Sequence, residues 1–158
     1  MNYKFSIVTE DDLSTIKSQL LNFDTDIYHS IEWLLLNKDL QEGEIYCIFL
    51  EDEKNCAFFP LIKRKIKNTS FFDLITPYGY GGVAFKKNTD TTFRENIFEL
   101  LRDCLSNTNC ISVFLRLHPL LNNNVKESQF VFGNGVTLAT KLNSSYPDLY
   151  NKYSSGHK

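Results

Sequence analysis

The sequence predicts one mixed α/β module, on three observations: short period-two stretches alternate with amphipathic helical ones, one central strand is apolar on both faces, and the composition favours no other class. At 158 residues the chain has the size of one domain, and folding at that length hides roughly 70% of the unfolded surface. With 42% apolar and 23% charged residues it reads as an ordinary globular protein that needs no staple. The 13 Phe and 8 Tyr are spread along the chain, which makes core and cleft packing the first reading and a base-stacking surface the minor one.

Each element has a local reason. Tyr3, Phe5 and Ile7 alternate with polar neighbours and predict a strand; Thr9 then caps a helix carrying Leu13, Ile16, Leu20 and Leu21 at helical spacing. Ile27, Ile31, Leu34 and Leu35 predict a second, short helix. Residues 44–50 and 56–64 are β-rich runs joined by the polar turn Glu51-Asp52-Glu53-Lys54-Asn55, the length of a hairpin connection. Tyr46, Ile48 and Leu50 fall on one face while Ile45, Cys47 and Phe49 fall on the other, so this strand should be covered on both sides. Pro60 has no N–H to give and predicts a bulge or an edge in the second strand.

Residues 70–76 predict a further strand that ends at Pro77. Thr92 and Glu95 stand at capping-box spacing ahead of Phe93, Ile97, Leu100, Leu101 and Cys104, which predicts one long amphipathic helix. Residues 111–117 return to period two, with Ile111, Val113, Leu115 and Leu117 on one face and Ser112, Phe114, Arg116 and His118 on the other. Phe130-Val131-Phe132 is a short apolar piece. Val136, Leu138 and Leu142 predict a last strand, and Ser145-Tyr146-Pro147-Asp148 the start of a helix.

A net charge of -2 produces no field that would draw DNA or an anionic membrane. Lys63-Arg64-Lys65-Ile66-Lys67 is the one basic cluster, read as a solvated strand end in preference to a phosphate contact. Cys47, Cys56, Cys104 and Cys110 contain no C-x-x-C pair and, with three His, give no zinc spacing, so they are expected to be reduced core residues and no metal is expected. Neither a signal peptide nor a transmembrane run is visible, and the expected location is cytoplasmic or peripheral at the inner membrane face.

Two places could carry chemistry. Tyr78-Gly79-Tyr80-Gly81-Gly82 follows a strand, and such a glycine density implies positive φ, close approach of another group, or N–H groups presented to an anion; a tight turn with two packed tyrosines is the plain alternative. Arg116 and His118 point the same way near a strand end. Arg116 suits a phosphate or carboxylate, the plain alternative being a pair with a core carboxylate such as Asp73 and a merely strand-capping His118.

Taken in order, Asp26-Ile27-Tyr28-His29, Phe58-Phe59-Pro60-Leu61-Ile62-Lys63-Arg64, Asp73-Leu74-Ile75-Thr76-Pro77-Tyr78-Gly79-Tyr80-Gly81-Gly82 and Val113-Phe114-Leu115-Arg116-Leu117-His118-Pro119-Leu120-Leu121-Asn122 resemble the FemAB-like branch of the GNAT acyltransferases. The resemblance implies a GNAT-like mixed, mostly antiparallel sheet with helices on both faces, spanning residues 1–143, with 144–158 starting a helix toward a second module. It implies transfer of an acyl or aminoacyl group to an amine of a cell-envelope sugar or peptidoglycan precursor. Tyr78, Tyr80, Gly81, Gly82, Arg116 and His118 would lie at the acceptor cleft, with His118 the candidate base. Thr76 and Tyr78 stand where the usual pyrophosphate loop has Arg or Gln, so no cofactor is expected in this module. Acyl-CoA or aminoacyl-tRNA would come with a second GNAT module, in cis or in trans. The competing expectation is a non-catalytic module that pairs with another chain or with itself.

Overall fold

The computed structural model describes residues 3–122, 125, 130–133 and 145–152. It is a mixed α+β fold with two four-stranded, mostly antiparallel sheets. The first has the order β1 (Lys4–Val8), β3 (Cys47–Glu51), β4 (Cys56–Phe59), β7 (Ala84–Phe85), every neighbour antiparallel. The second has the order β2 (Glu44–Ile45), β5 (Ile62–Lys65), β6 (Phe72–Ile75), β8 (Cys110–Phe114). There β6 and β8 run parallel.

One hairpin runs through both sheets. Glu51 pairs with Cys56 at its tip, where the Asp52 carboxylate accepts from the Lys54 and Asn55 N–H groups and closes the turn. The ladder is interrupted at Tyr46 and Cys47, which lie opposite Leu61 and Pro60, and resumes in the same register with Ile45 opposite Ile62. A single backbone bond, Tyr46 N–H to the Leu61 carbonyl at 2.9 Å, spans the break. Pro60 interrupts the hydrogen bonding as the sequence suggests, since it cannot donate, but it marks neither a bulge nor an edge: the register is kept, β4 and β5 are interior strands, and the strand changes sheet there.

The double-sided burial of β3 is observed. Ile48 and Leu50 face a core that includes Phe93 of α3 (Thr91–Glu95) and Ile97, Leu101 and Leu105 of α4 (Ile97–Leu105). Cys47 and Phe49 face a second core with Leu13 and Ile16 of α1 (Leu13–Gln19) and Leu34 of α2 (Ile31–Leu40). Helices thus cover both faces. All four cysteines are free thiols; burial pushes the Cys47 and Cys56 thiols up to about 12, so they stay protonated and act as small core residues.

Several local expectations need correction. The helix expected from the Thr92 capping box is two helices: Asp90 is the N-cap of α3 and makes no side-chain cap bond, its carboxylate instead lying against Asn55 Nδ2. Asn96, whose amide donates to the Thr92 carbonyl, separates α3 from α4. The Ile27 helix is a 3-10 turn, Ile27–His29, followed by α2, which Ser30 caps through the Trp33 N–H. Strand β8 ends at Phe114, so Arg116 and His118 belong to the loop beyond it and share no strand face. The carboxylate of Asp73 is taken by Arg64, bidentate at 2.9 and 2.8 Å, and Lys65 meets Glu44, so the basic cluster is paired in part. The start of α5 (Tyr146–Lys152) is as expected, with Ser145 Oγ accepting from the Asp148 N–H. The strand expected from Val136, Leu138 and Leu142 lies outside the described residues.

Core burial outweighs the surface pairs in this fold. Phe58 is fully buried on β4, and Phe58→Ala should lower unfolding free energy by about 3–5 kcal/mol. Arg64, with its half-exposed ion pair, should lose no more than about 1 kcal/mol on substitution by Ala. Urea unfolding followed by circular dichroism checks both, an equal loss for the two variants being the contrary result.

Candidate functional site

Strands β6 and β8 end side by side because they run parallel, and the loops that leave them build the site. Three hydrogen bonds lock the two loops together, one of them to a side chain. The Thr76 N–H donates to the Phe114 carbonyl at 3.1 Å, the Arg116 N–H to Thr76 Oγ1 at 3.2 Å, and the Gly82 N–H to the Arg116 carbonyl at 2.8 Å.

Helix α2 holds the glycine-rich loop from the other side. Trp33 Nε1 donates to the Tyr78 carbonyl at 2.8 Å; Asn37, buried, accepts from the Tyr78 N–H at 3.2 Å and donates to the Trp33 carbonyl. With both main-chain groups of Tyr78 held, its ring stands 69% exposed. Gly79 has φ +97°, and a Cβ there would run into the Tyr28 ring. Gly82 has φ +33°, and a Cβ there would strike Asn122 Oδ1 and the His118 N–H. Gly81 is buried against Thr76 and Pro77. The glycines serve close packing. Tyr28 meets Trp33 and Tyr80 edge-on, with centroids 5.5 and 5.8 Å apart, so Tyr80 forms the outer part of one aromatic cluster.

Arg116 lies between two exposed rings, its guanidinium carbon 5.6 Å from the Tyr78 centroid and 5.5 Å from that of Phe114. Among the described residues no carboxylate pairs with it. His118 is placed differently. It is buried, Nε2 is 2.6 Å from Asp26 Oδ2, and Nδ1 accepts from the Leu120 and Leu121 N–H groups, each at 3.1 Å. Two N–H donors fix Nδ1 as unprotonated, so the ring is the Nε2–H tautomer and donates to Asp26. That leaves His118 no free lone pair with which to take a proton from an amine. Asn122 completes this turn: its Oδ1 accepts from the His118 N–H at 2.8 Å and its Nδ2 donates to the Val83 carbonyl at 2.7 Å.

The second oxygen of Asp26 meets His29 Nδ1 at 2.9 Å. One carboxylate therefore joins two imidazoles from segments far apart in sequence. Asp26 and His29 stand in one of the segments that carry the resemblance but were expected at no site, although the Asp26-x-x-His29 spacing of a capping box was a usable signal; the turn does carry that reciprocal cap. His29 is fully buried, and among the described residues its Nε2 has no partner. Burial lowers its proton affinity below the ordinary 6.5, against the opposing pull of Asp26.

No family model, curated protein or solved structure matches the chain. Among the described residues no three His, Cys, Asp or Glu side chains form a metal-binding group, and no helix is long and apolar enough to cross a membrane. The site is thus defined by an aromatic rim, one guanidinium with no carboxylate partner among the described residues, and a partly buried carboxylate–imidazole support.

Gly79→Ala should cost about 1–2 kcal/mol from positive φ alone and more from the clash with Tyr28. Because Trp33 is the only tryptophan, its fluorescence should change in the folded variant as Tyr28 is displaced; an unchanged spectrum with unchanged stability would contradict the packing. His29 binds its proton less tightly folded than unfolded. The unfolded chain therefore takes up the extra proton, and this contribution to stability, complete above about pH 6.5, should fall as pH is lowered. Denaturation midpoints at stepped pH check it, with His29→Gln expected to flatten the acid slope.

Proposed function

We propose that the chain is the acceptor-side half of a FemAB-like N-acyltransferase acting on an amine of a cell-envelope sugar or peptide precursor. Arg116 carries this reading: it is a cation with no carboxylate partner among the described residues, presented between the exposed rings of Tyr78 and Phe114. A guanidinium so placed suits a phosphate or carboxylate on the acceptor, and the flat faces of Tyr78 and Tyr80 suit a sugar or peptide beside it. The mixed sheet, with the site at the ends of its parallel pair, is compatible with the GNAT-like expectation.

In the reaction the acceptor nitrogen attacks the donor carbonyl carbon, the bond from that carbon to the donor's oxygen or sulfur breaks, and a base takes the amine proton. This half binds and orients the acceptor, and assigns no base, since both nitrogens of His118 are engaged. The donor, acyl-CoA or aminoacyl-tRNA, belongs to a second GNAT module in cis or in trans. Activity by this chain alone is not expected.

Calorimetric titration with a uridine-diphosphate-linked muramyl peptide tests the reading. Arg116→Ala should weaken binding by about tenfold or more, the loss expected for a charged hydrogen bond. Tyr78→Ala should weaken it by less. No binding by the unaltered chain, or equal binding by Arg116→Ala, would overturn the proposal. A second reading, a non-catalytic pairing module, is favoured by Ile111 and Phe114 of β8, the outermost strand of its sheet among the described residues, exposed at 60% and 54%. Concentration-dependent dimerisation without acceptor binding would support it.

A further inference from the structure

We propose that Asp26, His29 and His118 form an acid-released latch, in which the neutral imidazole of His118 clamps the turn 118–122 and, through it, the aromatic face of Tyr78, Tyr80 and Arg116. The inference stands on geometry independent of any acyl transfer.

Three features make the arrangement sensitive to one proton. First, Nδ1 of His118 accepts from the Leu120 and Leu121 N–H groups at once. A proton on Nδ1 converts that acceptor into a donor facing two donors, so the turn must open to accommodate it. Second, the ring is buried, and the groups around it offer no acceptor in exchange: the Tyr28, Tyr80 and His29 rings stand 6.3, 6.2 and 6.4 Å away, and Asp26 already holds Nε2. Third, Asp26 is shared. Protonating His29 makes it a cation on the same carboxylate that accepts from His118. The charges acting on His29 are those of Asp26 and His118, so its protonation bears on the same carboxylate that holds His118.

The turn transmits its state to the site. Asn122 bonds the His118 N–H, donates to the Val83 carbonyl and fills the space where Gly82 lacks a Cβ, while the Gly82 N–H holds the Arg116 carbonyl. Opening the turn therefore removes the Asn122 support beside Gly82 and Val83, and with it one of the supports of the main chain under Arg116, while Trp33 and Asn37 keep their hold on Tyr78.

Amide hydrogen exchange of the full chain, corrected for intrinsic rates, tests the latch between about pH 7.5 and about pH 4.5, a range that brackets ordinary imidazole titration. Protection of the Leu121, Asn122 and Gly82 amides should fall by up to about tenfold per pH unit once the proton is taken up, while β3 and β4 amides keep theirs until global unfolding. His118→Asn keeps an oxygen that can accept from the same N–H groups and never takes the proton, so its turn protection, though lower, should be flat with pH. Nitrogen NMR of the His118 ring at neutral pH should find Nε2 protonated and Nδ1 not. Flat protection in the unaltered chain, an equally steep fall in His118→Asn, or a protonated Nδ1 at neutral pH would overturn the latch. These outcomes are read without acceptor, so they are distinct from failure of the binding reading.

Discussion

Parallel pairing of β6 with β8 is the constraint on which the site depends. Parallel neighbours need a long crossover, and here it passes through β7, α3 and α4 before returning beside β6. Both strands then end at the same edge, which places residues 76–82 beside residues 115–122. An antiparallel partner in that position would have sent one loop to the far edge of the sheet. The contacts between the two loops follow from this proximity: the Thr76 and Gly82 bonds to the second loop, the Tyr78–Arg116 contact and the Asn122 anchor on Val83.

Two kinds of interaction divide the work. Apolar burial on both faces of β3 and β4 holds the sheet, and at roughly 25 cal/mol per Å² it dominates any surface ion pair such as Lys4–Glu51 or Lys65–Glu44. The site is held differently. Its loops carry few fully buried apolar side chains and are fixed by side chains bonding to main chain: Trp33 and Asn37 on Tyr78, Asn122 on Val83, His118 on Leu120 and Leu121. Each such bond contributes only about 1 kcal/mol net, more where it is buried, as at Asn122 and Val83, because breaking it there leaves a buried polar group unsatisfied.

The elements that were legible in the sequence are those whose cause is local. Period two and a polar turn reveal the hairpin at residues 44–64, the double-sided pattern of β3 reveals the two helical layers, and Ser145 with Pro147 marks the start of α5. What was not legible depends on distant partners or on competing short-range bonds. Asn96 takes the Thr92 carbonyl and divides a helix whose apolar stripe is continuous. Arg64 claims Asp73, and thereby leaves Arg116 to the aromatic rings. Asp26 meets His118 across most of the chain, a contact that no period or motif announces.

The glycine loop shows how a sequence signal can point to the right place for a different reason. Three glycines in four positions suggested bare N–H groups for an anion, yet the N–H of Gly82 is spent on the Arg116 carbonyl, and positive φ at Gly79 and Gly82 admits the Tyr28 ring and the Asn122 side chain. Their absence of side chains lets α2, the 3-10 turn Ile27–His29 and the His118 turn converge on one loop. The positive charge at the site is then supplied by a side chain, Arg116, instead of by main-chain N–H groups. Because that guanidinium is oriented by Tyr78 and Phe114 and its backbone by Gly82, its position is set by the same packing that requires the glycines.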